Sequence, residues 1–198
     1  MEAEQIWIIP CLTIDKICLF TDTGMLHQVK VTDIPYGKLR DKGTPIDNLS
    51  KYDGTKERPV YVTSSAALKG KQLLFATAEA MVKLVPGEEF DTNNRAVAAT
   101  KLQEEDRLLS VQPVEGRDEA VLQTTNGVFL RFPLEEISVL KKNSRGVRGI
   151  KLGRDEKLEV VYLLGGDAEQ TTFYKEKQVY LNRLKIGKRD GKGSRVRL

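Results

Sequence analysis

Apolar residues along this chain collect in short extended stretches bounded by Gly, Asn, Asp and Pro, and the arrangement occurs four times. Each copy opens on one such stretch: Gln5-Ile-Trp-Ile-Ile9, Arg58-Pro-Val-Tyr-Val62, Arg107-Leu-Leu-Ser-Val111 and Lys157-Leu-Glu-Val-Val-Tyr-Leu-Leu164. A second stretch runs into a turn, over Ile17–Gly24, Leu73–Ala80, Ala120–Gly127 and the most worn copy, Thr171–Gln178. A third leaves it, as in Met25–Val31 and Val128–Phe132. Their wealth of Val, Ile, Leu, Phe, Tyr and Thr is that of β-strands. Asn126-Gly127 predicts a type I′ hairpin turn, whose two central residues both need positive φ. The turns at 24, 80, 127 and 178 recur about every 50 residues, the period of a propeller blade rather than of a helical repeat. Helical periodicity is nearly absent, with single turns expected at Pro86–Phe90 and Leu134–Ile137.

The pattern predicts an all-β radial array, a propeller-like pinwheel of about four blades with about four strands each. We expect one domain over 1–198, with repeats near 4–50, 57–102, 106–152 and 157–198. Each copy ends in a loop that carries arginine: Arg40-Asp-Lys-Gly43, Arg95-Ala-Val-Ala-Ala99, Arg145-Gly-Val-Arg-Gly149 and Arg189-Asp-Gly-Lys-Gly193. A short last strand follows, for example Gly149–Leu152. One basic loop per blade makes a curved cationic rim, a shape suited to bent duplex DNA.

Charge sharpens this picture. Residues 1–140 hold 16 Lys and Arg against 21 Asp and Glu, whereas residues 141–198 hold 16 against 7. Clustered cations favour a polyanionic partner, because each neutralised phosphate releases condensed counterions. With 40% apolar and 30% charged residues the chain is a globular one rather than a disordered one. No apolar run reaches the roughly 18 to 20 residues of a membrane span, and the acidic start lacks the pattern of a secretory signal. Cys11 and Cys18 fit no disulfide framework, so the expected setting is the cytoplasm, without a membrane partner.

Enzymatic chemistry finds no foothold. Gly187–Ser194 resembles a phosphate loop but has three residues where four separate the glycines, and Gly where Ser or Thr must follow the lysine. His27 is the sole histidine and reads as an ordinary exposed one, which leaves a hydrolytic triad or a structural zinc site without parts. The adjacent acids Glu88-Glu89, Glu104-Glu105 and Glu135-Glu136 read as surface charge, and Trp7 and Phe129 as core. No catalytic residue, metal or cofactor is expected. The basic loops also lack the aromatics of a single-strand stacking platform. Their glycines let the backbone approach phosphate closely. The expected DNA contacts are Arg40, Arg95, Lys141, Lys142, Arg145, Arg148, Lys151, Lys188, Arg189, Lys192 and Arg195. They address phosphates and carry little sequence information. A propeller scaffold that docks an acidic protein is the alternative.

Three stretches resemble a known family. They are Phe20–Pro35 with Arg40–Thr44, Asn126–Ile137 with Arg145–Leu152, and Asn182–Arg195. The sequence is similar to the C-terminal β-pinwheel domain of the A subunit of bacterial type IIA topoisomerases, DNA gyrase and topoisomerase IV. The resemblance implies blades that exchange a strand with their neighbours and duplex DNA wrapped on the outer edge. It also implies a non-catalytic part of an ATP-dependent isomerase, in which the remainder of the A subunit supplies the cleavage core and the B subunit the ATPase. Gyrase carries a Gln-Arg-Arg-Gly-Gly-Lys-Gly box in its first blade. Here the first repeat has only Lys38-Leu-Arg-Asp-Lys-Gly43, and the nearest match is Lys188–Gly193 in the last. That departure points towards a topoisomerase IV-like or divergent subunit, or towards a blade upstream of this chain.

Overall fold

The fold begins with hairpins whose turns end on one left-handed residue. In the computed structural model, which describes residues 6–196, β1 (Lys16–Thr21) pairs with β2 (Met25–Lys30), setting Phe20 opposite Leu26. The Gly24 N–H closes the turn on the Thr21 carbonyl at 3.0 Å, with Gly24 at φ +78°. The same closure recurs at Ala80 on Thr77 and at Gly127 on Thr124. It joins β4 (Gln72–Thr77) to β5 (Met81–Pro86), and β8 (Glu119–Thr124) to β9 (Val128–Pro133). Asn126 is not at positive φ, so the expected type I′ turn is replaced by a longer turn with only Gly127 left-handed. The fourth hairpin, β12 (Thr171–Tyr174) and β13 (Lys177–Tyr180), turns at Lys175-Glu176. Gln178 lies inside β13 opposite Phe173, two residues past the true turn. A turn built without Gly or Asn leaves no mark in the sequence.

Sheet order shows that a repeat is not a blade. The first sheet runs β3 (Pro59–Ser64), β1, β2, β6 (Ala96–Ala98), so its outer strands both belong to the second repeat. The second runs β10 (Val147–Arg148), β5, β4, β7 (Leu108–Pro113). The third runs β11 (Leu158–Leu164), β8, β9, β14 (Ser194–Arg195). Each of the first three hairpins thus receives an opening strand and a loop strand from the repeat that follows it. Among the described residues the fourth sheet holds β12 and β13 alone. Residues 6–9, where the first strand is expected, form no strand; Gln5 lies outside the described residues. The two single helical turns appear as 3-10 turns at Gly87–Phe90 and Leu134–Glu136.

Cores lie between successive sheets. Phe20, Phe75 and Phe90 meet there at ring distances of 5.1 to 5.8 Å, the two Phe90 contacts edge to face, and Leu122, Phe132 and Ile150 fill the next interface. Phe129 is buried as expected, whereas Trp7 is only half-buried. Strands β3, β7 and β11 lie side by side and line a central cleft with Trp7 and Gln170. The opposite edge of each sheet, held by β6, β10 or β14, therefore faces outward.

Buried acids pin each hairpin turn to the next repeat. Glu57, Asp106 and Glu156 occupy one position in successive repeats, each followed by Arg or Lys. Glu57 accepts the Thr23 hydroxyl at 3.0 Å and lies 2.8 Å from Nε2 of His27, which is buried beneath the turn rather than exposed as its sequence setting suggests. Glu156 accepts the Thr124 hydroxyl and the Gly153 N–H. Asp106 accepts the Glu79 and Arg107 N–H groups through Oδ1, while its Oδ2 is buried without a partner. Burial raises the Asp106 carboxyl above its usual range, and bonds from Thr77 and the Arg107 N–H only partly oppose it. A raised folded value means that ionised Asp106 destabilises the fold as pH rises through the unfolded and then the folded value. Asp106→Asn should therefore raise the melting temperature at pH 7 by about 2 to 4 °C, and the gain should vanish in acid, where both side chains are neutral. Calorimetry at pH 7 and at pH 3 checks both halves.

Candidate nucleic-acid interface

The loop strands show which basic residues are equivalent. On β5, Val147 stands opposite Val82 and Arg148 opposite Met81; on β9, Ser194 stands opposite Phe129 and Arg195 opposite Val128. On β2, Val97 stands opposite Leu26 and Ala98 opposite Met25. Arg95, Arg145 and Lys192 thus share one position, and Ala98, Arg148 and Arg195 another. Matching Arg189 to Arg145, as the sequence suggests, is out of step by three residues. Arg189 corresponds instead to Lys142. The Arg189 N–H and Nε bind the Glu136 carboxylate and carbonyl at 2.7 and 2.8 Å. The Lys142 N–H and Nζ bind Glu89 in the same way at 3.2 and 2.9 Å. Those two acids, read from sequence as surface charge, are loop anchors.

Each loop is also held from beneath. Lys83 on β5 is 1% exposed, and its Nζ donates to the carbonyls of Lys142 and Ser144 at 2.7 Å each and of Lys141 at 3.4 Å. Burial brings the Lys83 amine down to about 8, with nearby Glu89 opposing. Arg131 on β9 donates to the Asn182 and Leu184 carbonyls of the next loop and pairs with Glu119 at 2.6 Å. Sequence reasoning missed both residues. Their signal is a lone cation inside an apolar strand, Met-Val-Lys-Leu-Val and Val-Phe-Leu-Arg-Phe.

The structure sorts the expected contacts into free and engaged. Arg40, Lys141, Arg145, Lys151, Lys188, Lys192 and Arg195 are exposed, with no side-chain partner among the described residues. Arg95 gives one bond to the Leu49 carbonyl at 3.1 Å, and Lys142 and Arg189 are the loop ties just described. Arg148 forms a two-point pair with Asp190, Nη2 to Oδ2 at 2.9 Å. That hydrogen-bonded guanidinium, with Lys151 and Arg189 near, holds the Asp190 carboxyl below its usual range.

The third and fourth loops touch. The Asp190 N–H reaches the Gly149 carbonyl at 2.7 Å, and the Lys151 N–H reaches that of Gly191 at 2.9 Å. Arg145, Arg148, Lys151, Lys188, Lys192 and Arg195 therefore form one basic belt along the outer edges of the second and third sheets. Arg95 continues it onto the first sheet. Arg40 stands apart, on a loop with no hairpin beneath it. Among the described residues no three His, Cys, Asp or Glu side chains come together to hold a metal, and no helix is long and apolar enough to cross a membrane.

Comparison with known proteins identifies this architecture. The family described as DNA gyrase C-terminal domain, beta-propeller, matches residues 71–115 and 118–163. The DNA gyrase A subunit of Lawsonia intracellularis is 33% identical over 137 residues, 69% of this chain and 17% of that protein. The chain belongs to the C-terminal domain family of type IIA topoisomerase A subunits. The DNA gyrase A subunit of Klebsiella oxytoca is 29% identical over 161 residues, 81% of this chain and 18% of that protein. This chain thus spans less than a fifth of the length of these gyrase subunits. The crystal structure of the C-terminal domain of DNA topoisomerase IV shares the fold, with a TM-score of 0.83 at 23% identity over 92% of this chain and 58% of that one. Both family segments begin just before a hairpin and run into or through the opening strand of the next repeat, so each holds three strands of one sheet and the loop strand that pairs in the sheet before it.

Proposed function

We propose that this domain binds duplex DNA along its outer edge, bends it, and presents it to a cleavage core carried elsewhere in a topoisomerase A subunit. The observation that carries the reading is the basic belt: six cations from two loops that touch, most of them without any intramolecular partner, with Arg189 directly beside them. Phosphate contacts made from an edge that turns with successive sheets favour a curved path. Bending a 20 to 30 base-pair site costs on the order of 1 to 6 kcal/mol, which several phosphate contacts offset. The rest of the A subunit, and through it the ATPase B subunit, are the partners that this role requires, and strand cleavage and ATP use belong to them.

Bending and wrapping differ in topology. Nicked plasmid religated with the domain bound should acquire a change in linking number if the duplex is wrapped, and none if it is bent in a plane. The first repeat lacks the paired glycines of the gyrase box and its loop has no sheet beneath it, so we expect tight binding with little change in linking number. A shift of several turns per plasmid at saturation would contradict that expectation and establish wrapping.

A further inference from the structure

The loop seated on the first sheet is shorter than its counterparts, and the space left beside it is polar and cationic. Arg95 follows Phe90 by five residues, whereas Arg145 follows Ile137 by eight and Lys192 follows Leu184 by eight. In the longer loops the extra residues lie along the outer side of β5 and β9. Leu84 gives its N–H to the Ser138 carbonyl at 3.0 Å and takes the Leu140 N–H at 2.8 Å, and the Arg131 carbonyl takes the Gly187 N–H at 2.7 Å. On the first sheet the matching residue is Gln28. Its N–H reaches the Arg95 carbonyl at 2.8 Å, but no loop N–H returns to its own carbonyl. A notch of about 290 Å³ opens there, between β2 and the loop.

The side chains around the notch suit it to an anion. Gln28 is 4% exposed, and its Nε2 has no partner among the described residues. A buried donor left unmet costs desolvation that a bound acceptor offsets. Lys30 stands where the other sheets have Pro86 and Pro133, exposed and without a side-chain partner among the described residues. Lys16 stands where they have Gln72 and Glu119, and its Nζ holds the loop through the Thr92 carbonyl at 2.6 Å and Asn93 Oδ1 at 3.1 Å. Arg95 and Asn94 complete the lining, and Asp33 is its single carboxylate.

We propose that the notch binds free phosphate, with Gln28 Nε2, Lys30 and Arg95 donating to its oxygens and its hydroxyl donating to the Gln28 carbonyl. Three cations against one acid favour an oxyanion, which such donors hold by charge-assisted bonds. The unmet carbonyl favours one that keeps a hydroxyl at pH 7. Inorganic phosphate does so, whereas sulfate and the phosphodiester of DNA do not. The site is thus distinct from the path proposed for duplex DNA and does not rest on it.

Nuclear magnetic resonance of the isotopically labelled chain tests this, with sodium phosphate titrated at pH 7 against sodium chloride of equal ionic strength. The Gln28 side-chain amide should shift saturably with phosphate and stay in place with chloride. Gln28→Leu installs the residue type that the second sheet carries at this position, and Lys30→Gln removes an exposed charge. Read at the Asn94 backbone amide, each should weaken phosphate binding about tenfold while the hairpin amides keep their positions. Sulfate should bind several-fold more weakly, and a blunt duplex without terminal phosphates should leave the Gln28 amide unmoved. No saturable shift, or unchanged affinity in either variant, would overturn the proposal. So would sulfate binding as tightly as phosphate, or a duplex that moves the Gln28 amide as phosphate does, which would make the notch a seat for the DNA backbone. Failure of the basic belt to bind duplex leaves the phosphate readouts untouched, so the two readings fail separately.

Discussion

Replacing Arg145, Lys192 and Arg195 together by alanine is expected to lower affinity for duplex DNA by about a thousandfold, about tenfold for each lost charged hydrogen bond. Fluorescence anisotropy with a short duplex at one fixed salt concentration reads this directly. The three are singled out because Arg145 and Lys192 take the same place on adjacent sheets, Arg195 follows on the same edge, and none has an intramolecular partner to give up. Arg148 occupies an equivalent place but must first leave Asp190, so it contributes less per charge. Arg189 and Lys142 are bound to Glu136 and Glu89, and changing them acts by loosening the loops. A loss smaller than tenfold in the triple variant would place the phosphate path elsewhere on the molecule.

Gly146→Ala should be the most damaging single methyl group in the basic belt. Gly146 has φ +93°, where a side chain costs about 1 to 2 kcal/mol. A Cβ there would also lie 2.6 Å from the Val82 carbonyl oxygen, part of the strand on which the loop is seated. The loop must lift from β5, which also strips the Lys83 ammonium of its carbonyls and displaces Arg145 and Arg148. We expect a total loss of about 3 kcal/mol of stability, with weaker DNA binding alongside. Gly43→Ala is the internal control. Its φ is +72°, yet a Cβ would meet nothing within 4 Å, so only the backbone strain remains. Denaturant unfolding of both variants checks the contrast; equal losses would mean that the close approach to Val82 carries no weight.

Much of this fold is legible in the order of residues. The short apolar stretches bounded by turn residues, the glycines at 24 and 127 and the recurrence near 50 residues together specify hairpins in a radial array. Local pattern does not say which hairpin a strand joins. Arg58–Val62 reads equally well as the first strand of its own repeat or the last of the one before, and only non-local pairing decides. The basic loops are legible as charge, but their register is not. Arg189 and Arg145 look alike as residue types, whereas equivalence depends on which backbone groups meet Glu136, Glu89 and the neighbouring strand. Burial is the other hidden variable. Lys83 and Arg131 read as ordinary strand cations until the carbonyls above them are seen, and Trp7 reads as core although no sheet stands behind its stretch.

If the basic belt is the path for phosphates, duplex binding must depend steeply on salt, and that dependence measures the path most directly. Each phosphate contact contributes about −0.9 to the slope of log affinity against log salt. With Arg145, Lys151, Lys188, Lys192 and Arg195 engaged, the predicted slope is about −4 to −5, falling by about 2.7 in magnitude when Arg145, Lys192 and Arg195 become alanine. A slope shallower than about −1, or one unchanged in the triple variant, would contradict it.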